Sequence, residues 1–525
     1  MDISVGTKGS PGWWLEKGFK KIEERAPRLN NLNAWHEGNP PAPTAVQTAR
    51  EAFKEFEEEA VTNFAELIVG AVRERMTVRD IRTGGSGEKS DGVAWGHWVN
   101  NNLSVEMSSV IETFLWAGDS YVIVGKDPET DKVVVTAEDP RQVVTFHNPL
   151  NQSQLRAALK VLHDPDEGRA YAVLMLRGGK DKSGAQFNAR RFVAYMDTDS
   201  AEIPAFTAED WTWDADQGGQ DGEELPHQLV PVVRFRNRRG QGEFESHIKI
   251  LRRINRSVFQ LTVIVMYQAY KQRAVILDDS EEDDVQVQNS FKEEIGIGDL
   301  DDALTSDPGS WFLLPRGAKI WESTQTDVQG ILSAIKDDVA RLAAVTRRPM
   351  SIFAPDNQSA AGSDFTREGL TFATEDKITR ATQGIVDLFH LIFLTEGDEV
   401  RSDRSKIMVG WNPSVRYSLS DMASATSQVA GTMPKRTIYR EIWQKTPAEI
   451  MQIEAEASDE LLLTQELDQV GELGMSADEL AVRFDALGRA QRAAVTGESA
   501  AKAVGLDGLE FNEGRSTSLK FPDEA

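Results

Sequence analysis

The chain has 525 residues, 40% apolar and 27% charged, which is material for several packed regions and excludes the disordered and fibrous classes. The absence of Cys excludes disulfides, thiolate metal sites and a cysteine nucleophile, and fits folding in a reducing cytoplasm. A net charge of −26 excludes a free nonspecific DNA binder, whose affinity comes from Lys and Arg displacing counterions at phosphates, but permits a wall that surrounds a duplex without gripping it.

The N-terminus, MDISVGTKGSPGWWLEKGFKK, lacks the continuous apolar stretch of a signal peptide. The longest apolar-rich window, Arg256 to Lys271, is too short to span a bilayer. Up to about Ile81 the pattern predicts amphipathic helices, with Phe53, Phe56, Ala60, Phe64, Leu67 and Val72 at helical spacings. Two stretches rich in Gly or Pro, Leu29 to Pro43 and Thr83 to Gly92, predict loops.

From Tyr121 the period changes to two. YVIVG, KVVVTA, QVVTFH, LRAALKVL, RAYAVLML and RFVAYM predict a β meander. Asp210 to Pro226 is a Trp, Asp and Gly-rich insertion of low regularity, and PVVRFRN (Pro231 to Asn237) predicts another strand.

Ser246 opens a long helical pattern carried by Ile248, Leu251, Ile254, Val258, Leu261, Val265 and Ala269. The chain then turns acidic over Asp278 to Asp302, and WFLLPRGAKIWE predicts a hairpin turning at Pro315 to Ala318. A second helix follows at Val328, Ile331, Ile335, Val339 and Leu342, ending before Pro349. After an irregular stretch, Met350 to Gly362, a third runs through Leu370, Ala373, Ala381, Ile385, Leu388 and Ile392, with Gly369 and Gly384 as expected points of bending. MVGWNP (Met408 to Pro413) predicts a strand. The last hundred residues read as helices, with capping boxes at Thr446-Pro447-Ala448-Glu449 and Ser476-Ala477-Asp478-Glu479.

Little in this pattern specifies catalysis. GSGEKSDG has Glu88 where a phosphate loop needs glycine before its lysine, and no HExxH or GxSxG pattern occurs. The clusters Asp278 to Asp284 and Asp299 to Asp302 lack the positional signature of a calcium loop and read as solvated faces. Arg234, Arg236 and Arg238 alternate along one predicted strand face, and the helix from Ser246 adds Lys249, Arg252, Arg253 and Arg256; salt bridging and phosphate contact are both open to them. The apolar helix stripes are open to intrachain core or to packing between subunits.

Several segments, in order, resemble the portal proteins of tailed bacteriophages, the head-to-tail connectors of siphophages and actinophages. They are LNAWHEGNPPAP, NFAELIVGAVRERM, AVTRRPMSIFAPDNQSAAGSDFTREGLTFATEDKITRATQGIVDLF and MPKRTIYREIWQKTPAEIMQIEAE. The resemblance implies an α+β portal architecture with wing, helical stem, clip and helical crown. It places N-terminal helices and a β-rich wing at 1–245, stem helices at 246–272 and 327–345, and a clip at 273–326. A tunnel loop at 346–362, a long kinked helix at 363–396, a wing return at 397–445 and a crown with C-terminal tail at 446–525 complete the plan.

The resemblance also implies the function: a structural ring of about twelve copies, closed by heterologous contacts, at one capsid vertex. Its channel conducts double-stranded DNA during packaging and ejection. The expected partners are further copies of itself, DNA, the terminase large subunit, a head-to-tail adaptor, and major capsid and scaffolding proteins. Neither a membrane nor a cofactor is among them. The expected location is the virion, after assembly in the host cytoplasm. Implied DNA-channel residues at the tunnel loop are Arg347, Arg348, Asn357, Gln358 and Ser359, and the stem residues are Lys249, Arg252, Arg253, Arg256 and Lys336. Asp283, Asp284, Trp311, Arg316 and Lys319 fall in the clip, where terminase and adaptor would dock. The alternatives are another head-completion or minor capsid protein, or a packaging ATPase or nuclease; the enzyme would need a phosphate loop or spaced carboxylates that the sequence does not offer.

Overall fold

A computed structural model describes residues 3–41, 58–86, 90–180, 183–200, 203–269, 273–276, 319–322, 327–354, 360–415, 417–445, 449–460, 477–492 and 496–505. The chain divides into two compact units, Met1–Leu419 and Ser420–Ala525.

The first unit opens on α1 (Pro11–His36), started by Ser10, whose hydroxyl accepts from the Trp13 N–H at 3.3 Å. This corrects the loop expected from Leu29: the helix runs on to His36 because Leu29, Leu32 and Trp35 continue the buried face begun by Leu15, Phe19 and Ile22. Pro27 is tolerated inside it because Pro27 and Glu23, whose carbonyl it leaves without a donor, both lie on the exposed side. Helix α2 (Phe64–Arg73) forms where Phe64, Leu67 and Val72 predict it; Phe53 and Phe56 lie outside the described residues. Strand β1 (Val78–Arg82), α3 (Gly92–Asn100) and α4 (Leu103–Ala117) follow, the Asp91 carboxylate capping α3 by accepting from the Val93 and Ala94 N–H groups.

The six period-two segments become β2 (Asp119–Lys126), β3 (Val133–Glu138), β4 (Val143–Asn148), β5 (Asn151–Asp164), β6 (Arg169–Leu176) and, after the unexpected two-residue β7 (Gly179–Lys180) and β8 (Gln186–Phe187), β9 (Arg190–Asp197). The irregular insertion contributes β10 (Thr212–Trp213) and β11 (Glu223–Glu224), both paired to β9, before β12 (Val232–Arg236). The meander is split. β3 ends one antiparallel sheet of order β12-β2-β3, while β4 begins another of order β10-β9-β6-β5-β4, and β7 pairs with β8 alone. The first half of α1 covers the larger sheet, where a Cβ on Gly18 would lie 2.4 Å from the Leu159 side chain. Its second half joins the main core with α2, α4 and the smaller sheet.

A 3-10 turn, Glu245–His247, leads into α5 (Ile248–Ala269). Strands β13 (Arg273–Ile276) and β14 (Lys319–Glu322) pair antiparallel, so the described partner of KIWE is RAVI, whereas the WFLL half of the expected hairpin and its turn lie outside the described residues. Helix α6 (Gln329–Thr346) packs on α5. The stretch expected to be irregular contains one helical turn, α7 (Met350–Phe353), with Phe353 edge-on to Phe64 at 5.5 Å.

The longest described helix is α8 (Ala360–Glu396), which starts three residues before the expected Ser363. At Gly384 the reason for glycine is contact rather than bending: a Cβ there would fall 2.4 Å from the Phe235 ring of β12. β15 (Met408–Trp411) forms as expected and pairs with β1.

The helix Leu419–Val429 starts on the last residue of the first unit, and the second unit further holds helices Lys435–Glu441, 449–460, Ala477–Arg492 and Gly497–Ala503. The hydroxyl residues of both capping boxes, Thr446 and Ser476, lie outside the described residues. Among the described residues no helix is long and apolar enough to cross a membrane.

Candidate interaction cleft beside the helix pair

Where β12 hands over to α5, the chain makes a turn that sets up a buried polar network. Asn237 accepts from the Arg238 N–H to open a 3-10 turn, Arg238–Gly240, in which Arg239 has φ 58°. Two residues later Gly242 passes so close to α4 that a Cβ would lie 2.1 Å from the Trp116 carbonyl oxygen. Only glycine fits that approach, and it carries the next residue, Glu243, inward.

The Glu243 carboxylate accepts from Lys377 Nζ of α8 at 2.9 Å, Arg348 at 3.2 Å and Asn237 Nδ2 at 3.0 Å. Lys377 also donates to Asn237 Oδ1 at 2.9 Å. The Arg348 guanidinium completes its set on the Ile68 carbonyl at 3.0 Å and the Thr346 carbonyl at 2.7 Å. Burial pushes the Glu243 carboxyl up, but the Lys377 and Arg348 charges outweigh it and hold the group below the usual carboxylate range. Burial pulls Arg348 down from the usual arginine value, with Glu243 opposing, and burial also lowers the nearby His247 imidazole. Such a fully bonded network fixes three elements to one another, because removing one charge strands the others.

The neighbouring arginines Arg347 and Arg348 have opposite fates. Arg347 closes α6 in the left-handed region, φ 57°, and the Arg348 N–H returns to the Ala343 carbonyl at 3.0 Å. That reversal sends Arg348 into the core, 4% exposed, and Arg347 to the surface. The expectation that Arg348 faces DNA is therefore corrected: its guanidinium is spent on Glu243 and two backbone carbonyls of its own chain.

Over this network lies a cleft of about 280 Å³, continuous at Arg238, Glu243 and Lys377 with a hollow of about 310 Å³. Its mouth carries Arg238, Arg239 and Arg347, all exposed and without a side-chain hydrogen bond or ion pair among the described residues. Two apolar side chains stand beside them, Phe372 at 59% exposure and Val345 at 50%. The cleft brings together five cations, Arg238, Arg239, Arg347, Arg348 and Lys377, against the carboxylates of Glu243 and Asp376. In a chain of net charge −26 this is a local inversion of sign, suited to holding an anionic group rather than to bond chemistry. Among the described residues no group of three or more His, Cys, Asp or Glu is placed to hold a metal.

The other expected residues are scattered. Lys249, Arg252, Arg256 and Lys336 are exposed on α5 and α6. Arg253 instead clamps the buried Asp338 of α6 with bonds of 2.5 and 2.6 Å, an intrachain pin between the helices. Asn357, Gln358, Ser359, Asp283, Asp284, Trp311 and Arg316 lie outside the described residues, and Lys319 sits in β14 opposite Ile276.

The expected row of arginines on β12 does not share one role. Arg234 pairs with Asp119 at 2.7 Å, Arg236 is exposed, and Arg238 lies past the strand end. Sequence reasoning missed Asn237, Glu243, Phe372 and Lys377. Two signals existed: the Gly240 and Gly242 pair directly before Glu243, and a lysine set between Ala373 and Ala381 on an otherwise apolar stripe.

Residues 16–461 match the family model described as phage portal protein, SPP1 Gp6-like. The chain belongs to this family of phage portal proteins. No curated protein matches it. Solved structures similar to it include the neck of an empty gene transfer agent particle computed with C6 symmetry, at 12% identity over 76% of this chain and 92% of that one, TM-score 0.39. The virion of the native gene transfer agent particle gives 11% identity over 79% and 98%, TM-score 0.37. The neck of the native particle computed with C12 symmetry gives 11% over 76% and 92%, TM-score 0.36.

Proposed function

We propose that the chain is a portal subunit that assembles into a ring of about twelve copies, closed by a heterologous interface, at one vertex of a phage capsid. The observation that carries this reading is the match of residues 16–461 to the portal family. The ring would conduct double-stranded DNA inward during packaging and outward at ejection. Duplex DNA presents one charge about every 1.7 Å of its axis, so a subunit of net charge −26 lines the bore with a surface that DNA slides past rather than adheres to.

The pair α5 and α6 is the proposed stem, and its apolar edge beyond the core, at Leu261 and Val265, is the proposed contact with sister copies. The exposed cations Lys249, Arg252, Arg256 and Lys336 are the proposed stem groups facing DNA or the next subunit, and the tunnel loop through Asn357, Gln358 and Ser359 bears on DNA. The clip, with Asp283, Asp284, Trp311, Arg316 and Lys319, docks the terminase large subunit and then the head-to-tail adaptor. Major capsid and scaffolding proteins meet the outer parts of the ring. Assembly takes place in the host cytoplasm and the finished ring resides in the virion.

Negative-stain images of the purified protein test this reading. Rings with an axial opening are expected; particles that stay monomeric at all concentrations would contradict it.

A further inference from the structure

We infer that the cleft above Glu243 receives a carboxylate-bearing segment of a second copy of this chain, gripped by Arg347 and Arg238 and seated against Phe372. The inference rests on the ring reading and adds to it the place and chemistry of one contact.

The first reason is composition. The mouth combines three arginines with an exposed phenylalanine and an exposed valine, and no lysine stands beside them at the surface. Arginine and aromatic residues are enriched and lysine depleted at protein interfaces, where a desolvated aromatic anchors the contact. A phosphate backbone is met by cations and polar donors, and leaves Phe372 and Val345 in water.

The second reason is charge. Subunits that each carry −26 repel when they approach, so a contact between them needs a local patch of opposite sign. The chain has 84 acidic against 58 basic residues, so a facing surface of a sister copy offers carboxylates more readily than cations. Of the cations lining the cleft, Arg238, Arg239 and Arg347 have no side-chain partner among the described residues, while Arg348 and Lys377 behind them are held by Glu243, with Asp376 also on Lys377. The wall is thus neutralised and held rigid, and the mouth keeps its charge. A guanidinium fork takes a carboxylate through two parallel hydrogen bonds, which fixes orientation as well as sign.

The third reason is symmetry. A heterologous contact joins two different patches of the same chain, and an unpaired cationic cleft is the kind of half-site that such a contact completes.

The chain has no cysteine, so Phe372→Cys provides a single thiol at an exposed position. Labelled with a benzophenone maleimide and irradiated with and without duplex DNA, the protein should give crosslinks between two copies that map to a peptide containing Asp or Glu. In wild-type background, Arg347→Glu and Arg238→Glu should each weaken assembly about tenfold or more by mass photometry, with the melting temperature of the dissociated monomer unchanged. Intact rings whose crosslinks fall on DNA, or within one chain, would overturn the inference and leave the ring reading standing. Failure to assemble at all would remove both.

Discussion

Helices α8 and α5 carry the same kind of apolar stripe in sequence and meet different fates in the fold. On α8, Leu370, Ala381, Ile385, Leu388 and Ile392 are all buried within the chain's own core, joined there by Phe389 and Phe393. On α5, Leu251 and Ile254 are buried, Val258 and Leu261 are half-buried, and Val265 is 52% exposed. A stripe at 3.6-residue period states that a face is apolar, not what covers it. The stripe of α8 is covered by the intrachain core, with Phe372 exposed beside it, whereas among the described residues the ends of α5 at Val265 and of α6 at Val345 leave apolar edge over.

The contrast is open to attack by substitution. The largest effect is expected from Phe389→Ala on α8, which empties a site at full burial beside Trp98 and Phe393 and should lower unfolding stability by about 3–5 kcal/mol in denaturant titrations. Leaving that stability untouched would mean α8 is not a core helix.

Glu243→Gln comes next, at about 3 kcal/mol, because the buried Arg348 loses the Glu243 charge and Lys377 is left with Asp376 at 3.3 Å. Its pH signature has a definite sign. The folded carboxyl lies below its unfolded value, so its stabilisation is full above the unfolded carboxylate range and is lost as pH falls through the lower folded value. Wild type should therefore lose stability on acidification more steeply than the Gln variant, and parallel pH profiles would show that the network carries no such charge. Gly384→Ala should cost about 1–3 kcal/mol by driving a Cβ into the Phe235 ring; a neutral result would mean glycine there serves bending after all. The smallest effect on the monomer belongs to Val265→Ala, within about 0.5 kcal/mol, since that side chain touches little of its own chain.

Much of this fold was legible in the sequence, and the reasons for the rest are specific. Strands β3 and β6 stood out because buried positions nearly alternate along them, whereas β2, β4 and β9 stood out by β-branched and aromatic runs that are buried on both faces. That β3 and β4 belong to different sheets was not legible, because pairing is decided by β12 returning from far along the chain to lie beside β2. Helix α1 was hidden at its end by the Gly and Pro residues that follow His36, although its apolar spacing continues to Trp35. At the cleft, the Arg347-Arg348 pair marked the right region but not the division of labour. One left-handed residue at the end of α6 sets that division, and residue type alone does not announce it.

The most direct test of the account is the assembled mass of a Val265→Asp variant, measured beside its melting curve. The account predicts that wild type forms closed rings while the variant stays monomeric and melts at the temperature of wild type diluted until its rings dissociate, because the proposed cover of Val265 is a sister copy and not its own chain. Rings of unchanged mass carrying the aspartate would contradict it.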